Sequence, residues 1–120
     1  MPDQIKRVSP SLRATVQAAR RTVKAVAPRA TEIAYQSKPP RSRSAMWKIA
    51  RYAIGDEYVV GIGVFPEYAV LYFLRGRELD NDSGLLEGSG AKMRSVRLRT
   101  RADAERPAVK RLVRKAFALG

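Results

Sequence analysis

The side chains of this chain that could do chemistry are bases and carboxylates. Cys and His are both absent. That removes thiol and imidazole nucleophiles, His-based triads, zinc hydrolase sites and zinc fingers. What remains is 24 Lys and Arg against 11 Asp and Glu, a net charge of +13. The most suggestive run is GLLEGSGAKMRSVRLRT at 84–100, where three glycines lead into Lys92, Arg94, Arg97 and Arg99, with Arg101 just beyond. Its spacing excludes the G-x-x-x-x-G-K-[ST] phosphate loop. Five residues separate Gly84 from Gly90, Ala91 intervenes before Lys92, and Met93 stands where a hydroxyl is needed. The run also leads into a strand, whereas such loops open a helix whose amides meet the phosphates. A dinucleotide-binding G-x-G-x-x-G fails on spacing and context alike.

Two constellations are left to weigh. Arg94, Arg97, Arg99 and Arg101 sit on the last strand and its exit. Outward Arg at alternate positions would form a comb able to track phosphates, giving weak, salt-dependent binding of nucleic acid or another polyanion. The plainer reading is an edge strand protected by charge against aggregation. The second constellation is acidic: Glu78, Asp80, Asp82 and Glu87 place four of the 11 acids within ten residues. Without Cys or His, iron would need such hard oxygen donors, so Glu78, Asp80 and Asp82 are the metal candidates. The plainer reading is a solvated polar loop, and a strongly cationic chain repels cations at long range. No pair of polar groups has a spacing that forces catalytic adjacency, so an enzyme is not expected.

The elements that must position these groups follow from periodicity. Ser9 and Pro10 read as N-cap and N1 of a helix. Its apolar stripe is Leu12, Val16, Ala19, Val23 and Val26, and Pro28 closes it; residues 1–8 read as a flexible lead-in. Residues 31–45 contain a short apolar piece, Ile33 to Tyr35, then a Pro/Ser/Arg loop. MWKIARYAI alternates as a strand, with Met46, Lys48, Ala50, Tyr52 and Ile54 on one side and Trp47, Ile49, Arg51 and Ala53 on the other. YVVGIGVF and YAVLYFL read as a hairpin about Pro66-Glu67, because Pro66 and Glu67 break a stretch too short to span a membrane as a helix. SVRLRT is the last strand, with Val96 and Leu98 inward. Asp103 caps a final helix with Pro107 in its first turn and a buried stripe of Val109, Leu112, Val113, Ala116 and Phe117. The expectation is one α+β domain over 1–120: an antiparallel sheet of about five strands with the terminal helices on one face. No secretory signal is evident, which points to a cytoplasmic protein.

LLEGSG, followed by a basic residue, Met, Arg and an apolar-basic strand, resembles the signature of the YdhG-like family of bacterial domains of unknown function. Ala27-Pro28 after the first helix, EIAYQSKP, YAVLYFLRG and the terminal RKAFALG extend the resemblance over nearly the whole chain. It implies a sandwich similar in outline to frataxin. Some members are described as frataxin-like iron chaperones, so it also implies iron, or an iron-accepting protein, as partner. From the family pattern comes a pocket between the sheet and the EIAYQSKPP and LLEGSG loops, lined by Tyr35, Glu87 and Lys92. The chain departs from the family pattern at Gln36, Ala91 and Ser95, positions where the family often has Gly, Lys and His.

Overall fold

The structure, a computed structural model, describes residues 3–119. Helix α1 (Pro10–Val26) begins as the sequence indicates, with Ser9 before Pro10, and ends where the Ala27 N–H donates to the Val23 carbonyl. Leu12, Thr15, Val16, Ala19 and Val23 recur at three- and four-residue spacing and are buried, so the helix lays one stripe on the sheet. The sheet is a five-stranded antiparallel meander, β1 (Thr31–Ala34), β2 (Trp47–Ile54), β3 (Glu57–Val64), β4 (Ala69–Phe73) and β5 (Arg94–Leu98), in that spatial order. The α+β architecture is therefore as expected. Trp47, Tyr52, Val60, Ile62, Leu71, Phe73, Val96 and Leu98 face the helices and form one core with them.

The C-terminal part holds two helices where one was expected. Short α2 (Arg101–Ala104) is opened by a capping box: the Thr100 hydroxyl accepts from the Asp103 N–H, and the Asp103 carboxylate accepts from the Thr100 N–H. Burial opposes ionisation of Asp103. The amides of Arg99 and Thr100 outweigh it and hold the carboxyl below its ordinary range. Pro107 then forces Arg106 into an extended conformation, since a residue before proline avoids helical geometry. Helix α3 (Pro107–Ala118) starts afresh there. The Thr22 hydroxyl donates to the Ala104 carbonyl at 2.9 Å, so a buried polar group joins α1 to α2.

The lead-in is also more ordered than its composition suggests. Residues 1 and 2 lie outside the described residues, but Asp3–Arg7 forms a 3-10 turn, and Ile5 and Val8 are buried in the core. Their three-residue spacing is one turn of such a helix, so both face inward. Gln4 bridges β2 and the loop that precedes it, donating to the Lys48 carbonyl and accepting from the Ser37 N–H.

Edge strand β1 is fastened to α1 by a clamp. Arg20 donates two hydrogen bonds to Glu32, at 2.7 and 2.8 Å, and the Tyr52 hydroxyl donates to the same carboxylate at 2.6 Å. Burial opposes ionisation of Glu32, yet the bonds from Arg20 and Tyr52 hold its carboxyl below the ordinary range. Burial, then the negative partner, pushes the Tyr52 phenol well above its usual value. A depressed carboxyl pKa adds stability above the unfolded value, and that contribution is lost as pH falls through the folded value. Glu32→Gln should thus cost about 1–2 kcal/mol at neutral pH. In urea titrations the gap from wild type should close as pH drops below the ordinary carboxyl range. A gap of equal size in acid would contradict the ion pair.

Candidate nucleic-acid interface

All the helices lie on one face of the sheet, so its other face carries whatever the strands present there. The strand register decides the membership. Lys48 opposes Gly63 and Ala50 opposes Ile62, which leaves Ile49 as an extra residue in β2. Tyr52 opposes Val60 and Ala53 opposes Tyr58, which leaves Val59 extra in β3. Each is a β-bulge, and each shifts the in-out alternation by one. The strict alternation expected for residues 46–54 fails for this reason. Trp47, Ile49, Ala50 and Tyr52 all reach the core, while Lys48 and Arg51, three apart, share the open face. The second bulge brings Tyr58 to the same side, where the Arg51 guanidinium lies 4.1 Å from its ring centroid.

The open face combines Tyr with cations. Arg51 lies between two rings, 5.0 Å from Tyr35 and 4.1 Å from Tyr58, and its Nη1 donates to the Tyr35 hydroxyl at 3.3 Å. Lys48 sits 5.9 Å from the Tyr35 ring. Towards the other edge, Arg97 and Arg99 lie 4.4 and 5.6 Å from the Tyr68 ring, whose far neighbour is Phe65 at 5.0 Å. Tyr72, opposite Gly61, occupies the middle. Four of the five tyrosines are on this face; Tyr52 alone points to the core.

Glycine makes the centre flat. A Cβ on Gly61 would lie 2.0 Å from Tyr72 Cζ, and one on Gly63 would lie 2.5 Å from Met46 Sδ. The Tyr72 ring and the Met46 thioether therefore lie across β3 where side chains would otherwise stand. The Tyr72 hydroxyl is buried, and burial, then the adjacent Tyr35 hydroxyl, pushes its pKa well above the ordinary value.

The four arginines expected to form a comb are separated. Arg94 opposes Phe73, on the helix side, and its Nη1 is spent on the Gly90 and Met93 carbonyls at 2.6 and 2.8 Å. Arg101 belongs to α2, where it pairs with Glu105 at 3.2 Å. Only Arg97 and Arg99 reach the open face, Arg97 with a 3.5 Å contact to Glu87. The expected Tyr35, Glu87 and Lys92 pocket does not form either. Tyr35 continues β1 at one edge, and Glu87 pairs with Ser95 of β5 at the other, at 2.7 and 2.9 Å. Glu87 lies beyond β5, so five inter-strand spacings, about 24 Å, lie between them. Lys92 is exposed in the loop before β5. Leu86, beside Glu87, enters the core and Leu85 packs against it.

The metal candidates do not converge. Glu78 is gripped at both oxygens by Arg75, which holds its carboxyl below the ordinary range. Asp80 and Asp82 are exposed, and among the described residues no three carboxylates could hold one ion. Lys48, Arg51, Tyr58, Tyr68 and Tyr72, which make up most of the open face, were not apparent as a group in the sequence. The one signal for them is the Gly61-Ile62-Gly63 spacing in a strand, which marks a place where other side chains lie close to the backbone.

No family model, curated protein or solved structure matches the chain. The YdhG-like resemblance, and the frataxin-like outline it implies, therefore rest on the sequence motifs alone. No helix among the described residues is long and apolar enough to cross a membrane.

Gly61→Ala tests the construction of this surface. The added methyl must displace Tyr72, and overpacking of that kind costs about 1–3 kcal/mol. Urea denaturation should show the loss, and the near-ultraviolet dichroism of the tyrosines should change with it. An unchanged midpoint and spectrum would mean that Tyr72 does not lie over Gly61.

Proposed function

We propose that the protein binds single-stranded nucleic acid across the open face of its sheet. The observation that carries this reading is the placement of Lys48, Arg51, Arg97 and Arg99 on one surface with Tyr35, Tyr58, Tyr68 and Tyr72. Stacking on a ring fixes the plane of a guanidinium and leaves in-plane N–H groups for a phosphate. The exposed Tyr58 ring and the half-buried Tyr35 and Tyr68 rings supply sequence-tolerant stacking surfaces for bases, while buried Tyr72 forms the floor between them. Tyr58, 42% exposed, is the one ring among the exposed large hydrophobic side chains of the described residues. A single strand suits such a face better than a duplex, because only unpaired bases can lie on the rings.

Charge supports the same reading. Among the described residues, six arginines absorb seven carboxylates in ion pairs, and only Glu87 does so against the cations of the open face. The remaining cationic excess is free to attract a polyanion. The exposed basic side chains of α3, such as Arg111 and Arg114, are the competing surface. No exposed aromatic ring accompanies them there. An iron-carrying role of the kind the YdhG-like resemblance implies would need converging oxygen donors, and Glu78 is committed to Arg75.

Anisotropy titration of a labelled oligothymidine over a range of salt checks the reading. Four cations on phosphates predict a log–log salt slope of about −3. Arg97→Ala should make the slope shallower by roughly 0.7. Tyr58→Ala should weaken binding by about 1–3 kcal/mol and leave the slope alone. Affinity that is flat with salt, or that falls equally in Arg111→Ala/Arg114→Ala, would defeat the proposal.

A further inference from the structure

An apolar recess lies where the start of α1, the 38–45 loop and the β3–β4 turn meet. Its volume is about 320 Å³, the lower end of the range that holds a small organic ligand. Leu12, Trp47, Val64 and Phe65 form its apolar lining. The Trp47 indole N–H already donates to Ser37, at 3.3 Å to the carbonyl and 3.2 Å to the hydroxyl, so the ring offers the cleft an apolar wall. Three arginines border it: Arg7, 5.8 Å from the Trp47 ring, and Arg41 and Arg43 from the loop. Among the described residues, no acidic side chain lines it. Arg43 contacts Glu67 at 3.8 Å, but both side chains are highly exposed, so that pair holds the arginine weakly.

We infer that this cleft binds a small organic anion with an apolar body, a carboxylate, sulfonate or phosphate carried on an aliphatic or aromatic group. The lining supplies the two halves of that recognition. Apolar walls take up the body, and guanidinium groups without acidic neighbours in the cleft meet the charged end. The argument is charge complementarity together with shape. An apolar cleft bordered by three cations disfavours a cationic amphiphile and gains little from a bare inorganic anion. Phe65, which packs on Tyr68, is the one lining residue named above that touches the open face; Arg41, Arg43 and Trp47, which the test uses, do not belong to it, so this site stands or falls separately from the nucleic-acid reading.

Trp47 is the one tryptophan of the chain and reports directly from the cleft. The full chain is titrated with octanoate and with phenyl phosphate while Trp47 emission is followed. Octyltrimethylammonium and inorganic phosphate serve as counter-probes at matched ionic strength. The expected result is a saturable change with at least one of the two organic anions, and none with either counter-probe. Arg41→Gln/Arg43→Gln, which alters only exposed loop residues, should weaken the responding anion about tenfold. The inference is overturned if neither organic anion gives a saturable change, or if a counter-probe matches it. It is equally overturned if the double variant binds as tightly as wild type.

Discussion

A sheet that keeps strict two-residue alternation cannot place Lys48 and Arg51 on the same surface, nor Tyr58 on the same surface as Gly61. The two bulges remove that constraint. Ile49 and Val59 are extra residues that turn inward, and each lets the chain resume with its parity reversed. The core gains apolar side chains at both positions, and the open face gains a cation and an aromatic ring. Burial of Ile49 and Val59 thus stabilises the same register that assembles the surface. The remainder follows from it: Arg51 reaches both Tyr35 and Tyr58, and Tyr72 has a glycine to lie across.

The open face stays cationic because the acids are employed elsewhere. Glu32 is bound inside the Arg20–Tyr52 clamp, Glu57 and Glu78 share Arg75, and Asp103 caps α2. Tyrosine takes the place of a counter-ion beside Arg51 and Arg99. A ring fixes a guanidinium without neutralising it, and this distinguishes a surface prepared for an anion from one already satisfied.

Where periodicity is unbroken, the chain is readable from sequence. The stripe of α1, the inward Val96 and Leu98, the hairpin at Pro66-Glu67 and the α+β class all follow from regular spacing. The bulges defeat that reading in β2, because one inserted residue reverses every later side chain. Order in the lead-in is hidden in the sequence, because two apolar residues in a polar run look negligible until a 3-10 turn aligns them. Arg94 shows a third limit. Its strand position is as expected, but the fold of the glycine loop brings carbonyls to its guanidinium. Glycines at 84 and 88 have positive φ, so GLLEGSG turns sharply and seats Leu86 in the core; its role is architectural.

The central claim, that the open face takes up nucleic acid, is tested most directly by the ring resonances of the five tyrosines. Tyr52 lies beneath the sheet with its hydroxyl on Glu32, while the other four line the face above. In a titration with oligothymidine, the ring signals of Tyr35, Tyr58 and Tyr68 should shift progressively and saturate together, and those of Tyr52 should stay in place. Shifts confined to amides of α1 and α3, with all five tyrosines unmoved, would contradict the account.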